Sequence, residues 1–312
     1  MLYRPLASTG LDVSVLGFGA ATLGNEYGPT DRASGARAVA HALERGINFF
    51  DVSPYYGRTL AEERLGEALV GLRERVVLAT KCGRYDVATF DFRAERVRRS
   101  LEESLTRLRT DRVELFQLHD VEFVEPSILF EEALPALAEL KRAGKCRAIG
   151  ITGYPLGHLQ RLLVHSPVPL DSVLSYARAT PLCDDLGVSL LPFAHARGIS
   201  VLNASPLHMG ALTPQGPPPW HKAEAGVLAA ARRMVELLAA RGLDAPMVAL
   251  RYALAETRIT STFVGLSTAH EVDQNLRALE QPLDAELREE LVKLAGAARN
   301  RPWVEGLEEN NP

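Results

Sequence analysis

The chain has 312 residues, of which 46% are hydrophobic and 24% charged, and its formal net charge is −4. This length and apolar content fit one large domain spanning residues 1–312. The slightly acidic balance argues against a nucleic-acid partner. The N-terminus has no basic flank followed by an apolar leader, and no run of about 18 apolar residues occurs, so we expect a cytoplasmic protein without a membrane partner.

Short apolar runs that read as β-strands alternate with helical patterns along the chain. Residues 3–13 predict a β-hairpin. Strands are then predicted around Val15, Phe49, Val77, Leu115, Ala148, Val173, Val201 and Phe263. Apolar residues at helical spacing predict helices at residues 93–107, 130–142, 228–240 and 270–279. This alternation predicts an α/β fold, a (β/α)8 TIM barrel, with the hairpin closing the barrel floor.

Four polar residues accompany the ends of three predicted strands. Asp51 ends the strand around residue 49, and Tyr56 lies in the turn that follows it. Lys81 ends the next strand, and His119 follows the third. An ammonium beside a phenol favours phenolate, a carboxylate keeps that ammonium charged, and an imidazole can hydrogen-bond a reacting oxygen. Together, the four residues predict a site for proton exchange with a carbonyl or hydroxyl group.

Each of these residues also has a structural interpretation when taken alone. The aspartate would cap a turn, the tyrosine would be half-buried, the lysine solvated and the histidine a satisfied strand-end residue. Only their joint position at the ends of successive strands favours catalysis. Asp120 is expected on the face opposite His119 if both lie on a strand.

No metal site or disulfide framework is predicted. The three cysteines, Cys82, Cys146 and Cys183, are too few and too scattered for either. The thiol of Cys82, beside Lys81, is expected to pack in the core and not to act as a reactive group. None of the eight histidines pairs into a short ligand motif.

Five segments resemble the aldo-keto reductases in order and spacing: DVSPYYG at residues 51–57, TKCG at 80–83, LHD at 118–120, KCRAIGITG at 145–153 and ASPL at 204–207. The resemblance covers nearly the whole chain. It implies a TIM barrel that binds a nicotinamide dinucleotide, which agrees with the lack of a strand-linked Gly-x-Gly-x-x-Gly motif. It also implies a catalytic tetrad, matched one for one by Asp51, Tyr56, Lys81 and His119.

The resemblance further implies a cofactor site at the ends of several strands. The pyrophosphate loop matches residues 205–207, and the residues after the eighth strand begin a helix whose N–H groups can bind phosphate. Gln274 and Asn275 match adenine contacts, and Thr152 matches a carboxamide contact. The complete predicted set is Gly19, Ala20, Thr152, Ser175, Ser205, Pro206, Leu207, Gly265, Ser267, Glu271, Gln274 and Asn275.

Three positions near the nicotinamide depart from the family pattern. Gly153 replaces an asparagine, Ser175 stands roughly where a glutamine is usual, and Ala204 replaces a stacking tyrosine. The family's NADP-preferring members also place a cation against the 2′-phosphate, whereas Glu271 aligns with their arginine. A carboxylate there would repel a 2′-phosphate and accept a hydrogen bond from a 2′-hydroxyl, so NAD is expected over NADP. A protonated His270 would instead attract a 2′-phosphate and would favour NADP.

Residues 79–85 and 210–221 resemble the L-galactose dehydrogenase and aldose 1-dehydrogenase branch of the family, whose members oxidise the anomeric carbon of a free sugar to a lactone. Loop residues expected to contact such a sugar are Asn25, Arg84, Tyr85, Tyr154 and Trp220. For Trp220, an equally weighted alternative is a loop anchor packed by its neighbouring prolines.

Three functions remain open from sequence. The first is NAD-dependent oxidation of an L-galactose-like aldose, and the second is oxidation or reduction of another alcohol or aldehyde, such as pyridoxal. The third is a cofactor-binding regulatory subunit. A small-molecule sugar is the expected partner, and the chain is expected to be a monomer or a weak homo-oligomer.

Overall fold

The computed structural model describes residues 1–311. Its strands are β1 Tyr3–Pro5, β2 Asp12–Ser14, β3 Leu16–Gly19, β4 Phe49–Asp51, β5 Val77–Cys82, β6 Arg84–Asp86, β7 Thr89–Phe90, β8 Val113–Leu118, β9 Cys146–Thr152, β10 Ser172–Tyr176, β11 Ser200–Ala204 and β12 Ser261–Gly265. Within this described part, eight parallel strands close a barrel in the order β3-β4-β5-β8-β9-β10-β11-β12. The predicted TIM barrel is confirmed, and its strands form where apolar runs predicted them.

Helices cover the outside of the barrel. They are α1 Arg32–Glu44, α2 Leu60–Ala68, α3 Ala94–Leu108, α4 Pro126–Ile128, α5 Leu134–Arg142, α6 Leu156–His165, α7 Leu190–His195, α8 Ala225–Ala240, α9 Ala245–Leu254, α10 Ala269–Leu276 and α11 Ala285–Ala295. In α3 the apolar residues at helical spacing, among them Val97, Leu101 and Leu105, are buried. They pack in the same cluster as outward-facing strand residues such as Phe116. This packing explains why the helical pattern predicted α3 so closely.

The hairpin of β1 and β2 closes the floor of the barrel, as predicted. Leu6 and Val13 from this hairpin are fully buried. They pack with the inward-facing residues Phe49, Val77, Ala79, Leu115, Ala148, Leu174, Leu202 and Phe263. Gly17 leaves the space that the Phe263 ring fills, since a Cβ there would lie 2.4 Å from a ring carbon. Side chains therefore fill the floor of the barrel. The polar residues at the strand ends lie at the opposite, open end, which we call the mouth.

Segments that were not predicted surround this mouth. The β6–β7 hairpin follows β5 directly. Residues 296–311 return from α11 across the loops after β8 and β9, where Leu307 N donates to Glu122 O at 2.9 Å and Asn310 Nδ2 donates to the same carbonyl at 3.0 Å. Within residues 1–311, no helix has the length and apolar character needed to cross a membrane.

Candidate active site

Asp51 and Lys81 meet at the centre of the mouth because β4 and β5 are neighbouring strands. Lys81 Nζ lies 2.5 Å from Asp51 Oδ2, 3.0 Å from Val52 O and 3.3 Å from the Tyr56 hydroxyl. These three oxygens match the three donors of an ammonium group. Since Lys81 is only 1% exposed, this full set of partners is what makes its burial tolerable.

Tyr56 reaches the ammonium because two loops touch through glycines. Gly57 has a φ of +62°, and a Cβ there would lie 2.3 Å from Gly24 O. A Cβ on Gly24 would in turn lie 2.7 Å from the carbonyl carbon of Tyr56. Glu26 Oε1 also accepts the Gly57 N–H at 2.7 Å. The loop after β3 thus holds the loop that carries Tyr56.

His119 stands edge-on to Tyr56, with 5.7 Å between the ring centres. Its Nδ1 lies 2.9 Å from Ser53 Oγ, and the same oxygen accepts the Tyr55 N–H at 3.1 Å. Because Ser53 Oγ already accepts one hydrogen bond, its own proton can be donated to Nδ1. In the tautomer in which Ser53 donates to Nδ1, the ring proton lies on Nε2, which makes Nε2 a donor toward a ligand oxygen.

The electrostatics of these groups differ from the prediction at one residue. Burial lowers the pKa of His119 well below its usual value, and Lys81 lowers it further, so the imidazole is neutral. Burial raises the pKa of Asp51, against the opposing effect of Lys81. The predicted lowering of the Tyr56 pKa is wrong: burial raises it well above the usual value, and Asp51 adds to the rise. Desolvation of the phenol outweighs the nearby ammonium.

Small residues line the side of the mouth formed by β11, β12 and β3. Gly19 is in register with Gly265, and Ala204 ends β11. Ala20, just past Gly19, is buried, as is Pro206, and Ser205 has a φ of +55° that turns the chain between Ala204 and Leu207. A Cβ on Gly19 would lie 3.0 Å from Val264 O, and one on Gly265 would lie 2.9 Å from Thr22 Cγ2. These glycines therefore let β3, β12 and the loop after β3 pack closely, and the small residues of this side are the ones that would hold the nicotinamide group that the resemblance implies.

The start of α10 is arranged differently from the prediction. Glu271 Oε2 accepts hydrogen bonds from Ser267 N at 2.7 Å, Ser267 Oγ at 2.8 Å and Thr268 N at 3.1 Å. The N–H groups of Ser267 and Thr268, expected to bind phosphate, are thus already paired with a carboxylate. Asn275 Nδ2 donates to Glu271 O at 2.8 Å, and Gln274 is exposed.

Thr152 and Ser175 were both predicted to lie near the nicotinamide carboxamide, and their side chains are oriented differently. Thr152 is buried, and its Oγ1 accepts the Asp120 N–H at 3.1 Å. Ser175 follows Leu174, which faces the barrel interior, so alternation turns the Ser175 side chain toward the surrounding helices. The structure therefore does not bring Ser175 into the mouth. At Gly153, a Cβ would lie 2.6 Å from Glu122 Oε2, so the buried Glu122 carboxyl takes the space that an asparagine would need.

Two predicted sugar contacts are used within the protein instead. Asn25 Oδ1 accepts a hydrogen bond from Arg64 Nη1 at 3.1 Å, which braces its own loop. The Tyr85 hydroxyl accepts the Gly83 N–H at 3.2 Å, and its ring lies 4.0 Å from the Arg96 guanidinium of α3. Tyr85 therefore packs outside the mouth.

Of the remaining three, Arg84 pairs with Asp120, and Tyr154 and Trp220 differ in exposure. Tyr154 is 1% exposed and stacks on Trp303 with ring centres 4.1 Å apart. Trp220 is 48% exposed and lies 6.0 Å from the Tyr27 ring. Trp220 thus joins the loops after β11 and β3 at the rim, and about half of its surface is exposed.

Sequence reasoning missed Ser53, Gln117 and the contact between Asp120 and His119. Gln117 is in register with Lys81, is fully buried and helps to lower the pKa of Asp51. Asp120 was expected on the face opposite His119 only if both lay on a strand, but β8 ends at Leu118, before both residues, and Asp120 has a φ of +54°. Its Oδ2 consequently lies 3.8 Å from His119 Nε2. The available signal was the residue type, because aspartate tolerates this left-handed conformation better than most residues.

Comparisons with known proteins agree with this geometry. The model of the Aldo/keto reductase family matches residues 15–295. The chain is 41% identical to L-galactose dehydrogenase from Arabidopsis thaliana, with 98% of each chain covered. It is 30% identical to D-threo-aldose 1-dehydrogenase from a Pseudomonas species, covering 91% of this chain and 95% of that one. Among solved structures, an aldo-keto reductase from Bacillus halodurans in its holo form has a TM-score of 0.78 at 28% identity over all of both chains.

Proposed function

Because this chain belongs to the aldo/keto reductase family, whose members are oxidoreductases using nicotinamide cofactors, we propose that it oxidises the anomeric carbon of a free, L-galactose-like aldose to a lactone. The observation that carries this proposal is the contact of Lys81 with both Asp51 and Tyr56 beneath an open mouth. The full-length similarity to an L-galactose dehydrogenase and an aldose 1-dehydrogenase supports the choice of substrate.

In the proposed reaction, Tyr56 exchanges a proton with the anomeric oxygen. A nicotinamide cofactor supplies the acceptor for the hydride that leaves C1. Tyr56 takes the hydroxyl proton as the C1–O bond becomes a carbonyl, and the Lys81 ammonium stabilises the phenolate that must form first. His119 donates its Nε2–H to the same oxygen. Since the pKa of Tyr56 is raised, oxidation should accelerate as the pH rises above neutrality.

We propose NAD as the preferred cofactor. Glu271 would hold the cofactor's adenosine ribose through its carboxylate, which already lies among the Ser267 and Thr268 donors. A 2′-phosphate brought to this place would meet a like charge and would have to displace these hydrogen bonds. Catalytic efficiencies with NAD and NADP test the preference, and a clear preference for NADP would contradict it.

The proposed function is tested by NADH formation over free aldoses, including L-galactose, L-fucose, D-arabinose and L-glucose. Tyr56→Phe should lose activity by about a hundredfold or more, because the proton acceptor is removed. Tyr3→Phe is the matched control, since the Tyr3 hydroxyl bonds to Gly46 O at the opposite end of the barrel. Turnover of pyridoxal or simple aldehydes, with no turnover of any aldose, would contradict this proposal. It would favour the second function, which is oxidation or reduction of another alcohol or aldehyde.

A further inference from the structure

Asp120 and Arg84 form a polar wall next to the candidate reacting centre. Asp120 is 4% exposed, and its carboxylate is held between His119 on one side and Arg84 on the other. Its Oδ2 lies 3.8 Å from His119 Nε2 and 2.5 Å from Arg84 Nη1. The Asp120 N–H is bonded to Thr152 Oγ1 at 3.1 Å, so both the backbone and the side chain of this residue are fixed.

Arg84 is itself held by aromatic side chains. Its guanidinium carbon lies 4.1 Å from the Tyr55 ring centre, 5.1 Å from that of Phe123 and 5.5 Å from that of Phe90. The Tyr55 hydroxyl accepts a hydrogen bond from Arg84 Nη2 at 3.3 Å, whereas the buried Nε has no partner among the described residues. Stacking and hydrogen bonds together fix the plane of the guanidinium.

We propose that Asp120, oriented by Arg84, recognises a hydroxyl group on the carbon next to the reacting carbon. The inference rests on the proposed function, in which the reacting oxygen binds His119 Nε2 and Tyr56. A ligand oxygen at Nε2 lies close to Asp120 Oδ2, and a hydroxyl one carbon further along can donate to this carboxylate within the usual range of about 2.5–3.0 Å. The substrate class is therefore a 2-hydroxy aldehyde or its cyclic aldose form.

The same geometry selects against substrates that lack this hydroxyl. A buried carboxylate facing a methylene group loses the water it had without gaining a donor, and that loss is larger for a charged group than for a neutral one. We therefore expect the wild-type protein to prefer L-galactose over 2-deoxy-L-galactose by about tenfold or more in kcat/KM.

Asp120→Asn tests the proposal, because it keeps the size of the side chain and removes its charge. The preference for L-galactose over 2-deoxy-L-galactose should fall to near unity, mainly through a higher KM for L-galactose. Asp171→Asn is the matched control: Asp171 is also buried and paired with a cation, Lys141, at 2.6 Å, but it lies outside the mouth. This control should leave the preference unchanged. An equal loss of activity with both sugars in Asp120→Asn would make Asp120 a structural brace and overturn the proposal.

A second substrate pair separates this inference from the proposed function. In the reverse direction with NADH, glycolaldehyde carries the neighbouring hydroxyl and acetaldehyde lacks it. A preference for glycolaldehyde that Asp120→Asn abolishes supports the inference even if no aldose is oxidised, in which case the proposed function alone fails. Equal rates with both aldehydes and with both sugars in the wild-type protein would overturn the inference while leaving aldose oxidation intact.

Discussion

At the scale of single residues, Lys81 organises the candidate site. A buried ammonium without partners would cost several kcal/mol, and here three oxygens, including Asp51 Oδ2 and the Tyr56 hydroxyl, satisfy it. The positive charge of Lys81 holds these oxygens in place, and the oxygens in turn stabilise that charge. The phenol, the carboxylate and the ammonium are therefore positioned before any substrate binds.

Ser53 is expected to set the tautomer of His119. Removing its hydroxyl in Ser53→Ala takes away the 2.9 Å contact with Nδ1, so the ring proton is free to occupy either nitrogen. We expect kcat to fall by about tenfold. Because the pKa of His119 lies well below its usual value, the imidazole stays neutral and the defect should not change with pH around neutrality. Steady-state kinetics, together with 15N chemical shifts of the imidazole, measure both effects.

The control for Ser53 is a serine buried elsewhere. Ser104 is fully buried and accepts a hydrogen bond from Arg107 at 3.1 Å on the outer helix α3. Ser104→Ala should therefore change stability without moving the imidazole shifts, and Ser53→Thr should restore part of the activity. Unchanged imidazole shifts in Ser53→Ala would disprove the tautomer argument.

At the scale of elements, the site depends on the contact between the loops after β3 and β4. We expect Gly57→Ala to lower kcat by tenfold or more, because its Cβ would push against Gly24 O and displace Tyr56. Gly71→Ala is the matched control: its φ is +79°, but nothing lies within 4 Å of the added Cβ. Both variants bear the strain of a left-handed residue, about 1 kcal/mol, and only Gly57→Ala should lose activity. Equal activities would show that the loop contact is unimportant.

The strands were predictable because their side chains alternate against two apolar layers. Asp51, Lys81 and His119 lie at or next to the ends of those strands. The sequence could therefore also predict that these three side chains would lie close together. Ser175 was predicted as a cofactor contact, but it follows the inward-facing Leu174 within β10 and so faces outward. For Asp120, the sequence does not mark that β8 stops at Leu118. The segment after α11 was missed because its contacts, such as Trp303 on Tyr154, are tertiary and leave no local periodicity.

At the scale of the whole molecule, the barrel separates stability from chemistry along its axis. The floor is an apolar cluster that includes Leu6, Leu115 and Phe263, whereas the mouth holds the buried charges of Asp51 and Lys81. Apolar packing stabilises the fold, while the polar groups at the other end are held by that fold. Changes at the floor should therefore act on unfolding and changes at the mouth on turnover.

Leu6→Ala tests this separation. Leu6 is fully buried in the hairpin that closes the floor, so truncation should lower the free energy of unfolding by about 2–5 kcal/mol through lost burial and a residual cavity. The kcat and KM should stay within twofold of wild type at a temperature where both proteins are folded. Denaturant unfolding and steady-state kinetics measure the two quantities, with Leu2→Ala, 66% exposed, as a control expected to change stability by less than about 0.5 kcal/mol. A raised KM in Leu6→Ala would mean instead that the hairpin transmits its packing through the interior to Lys81, and that the two ends of the barrel are energetically coupled.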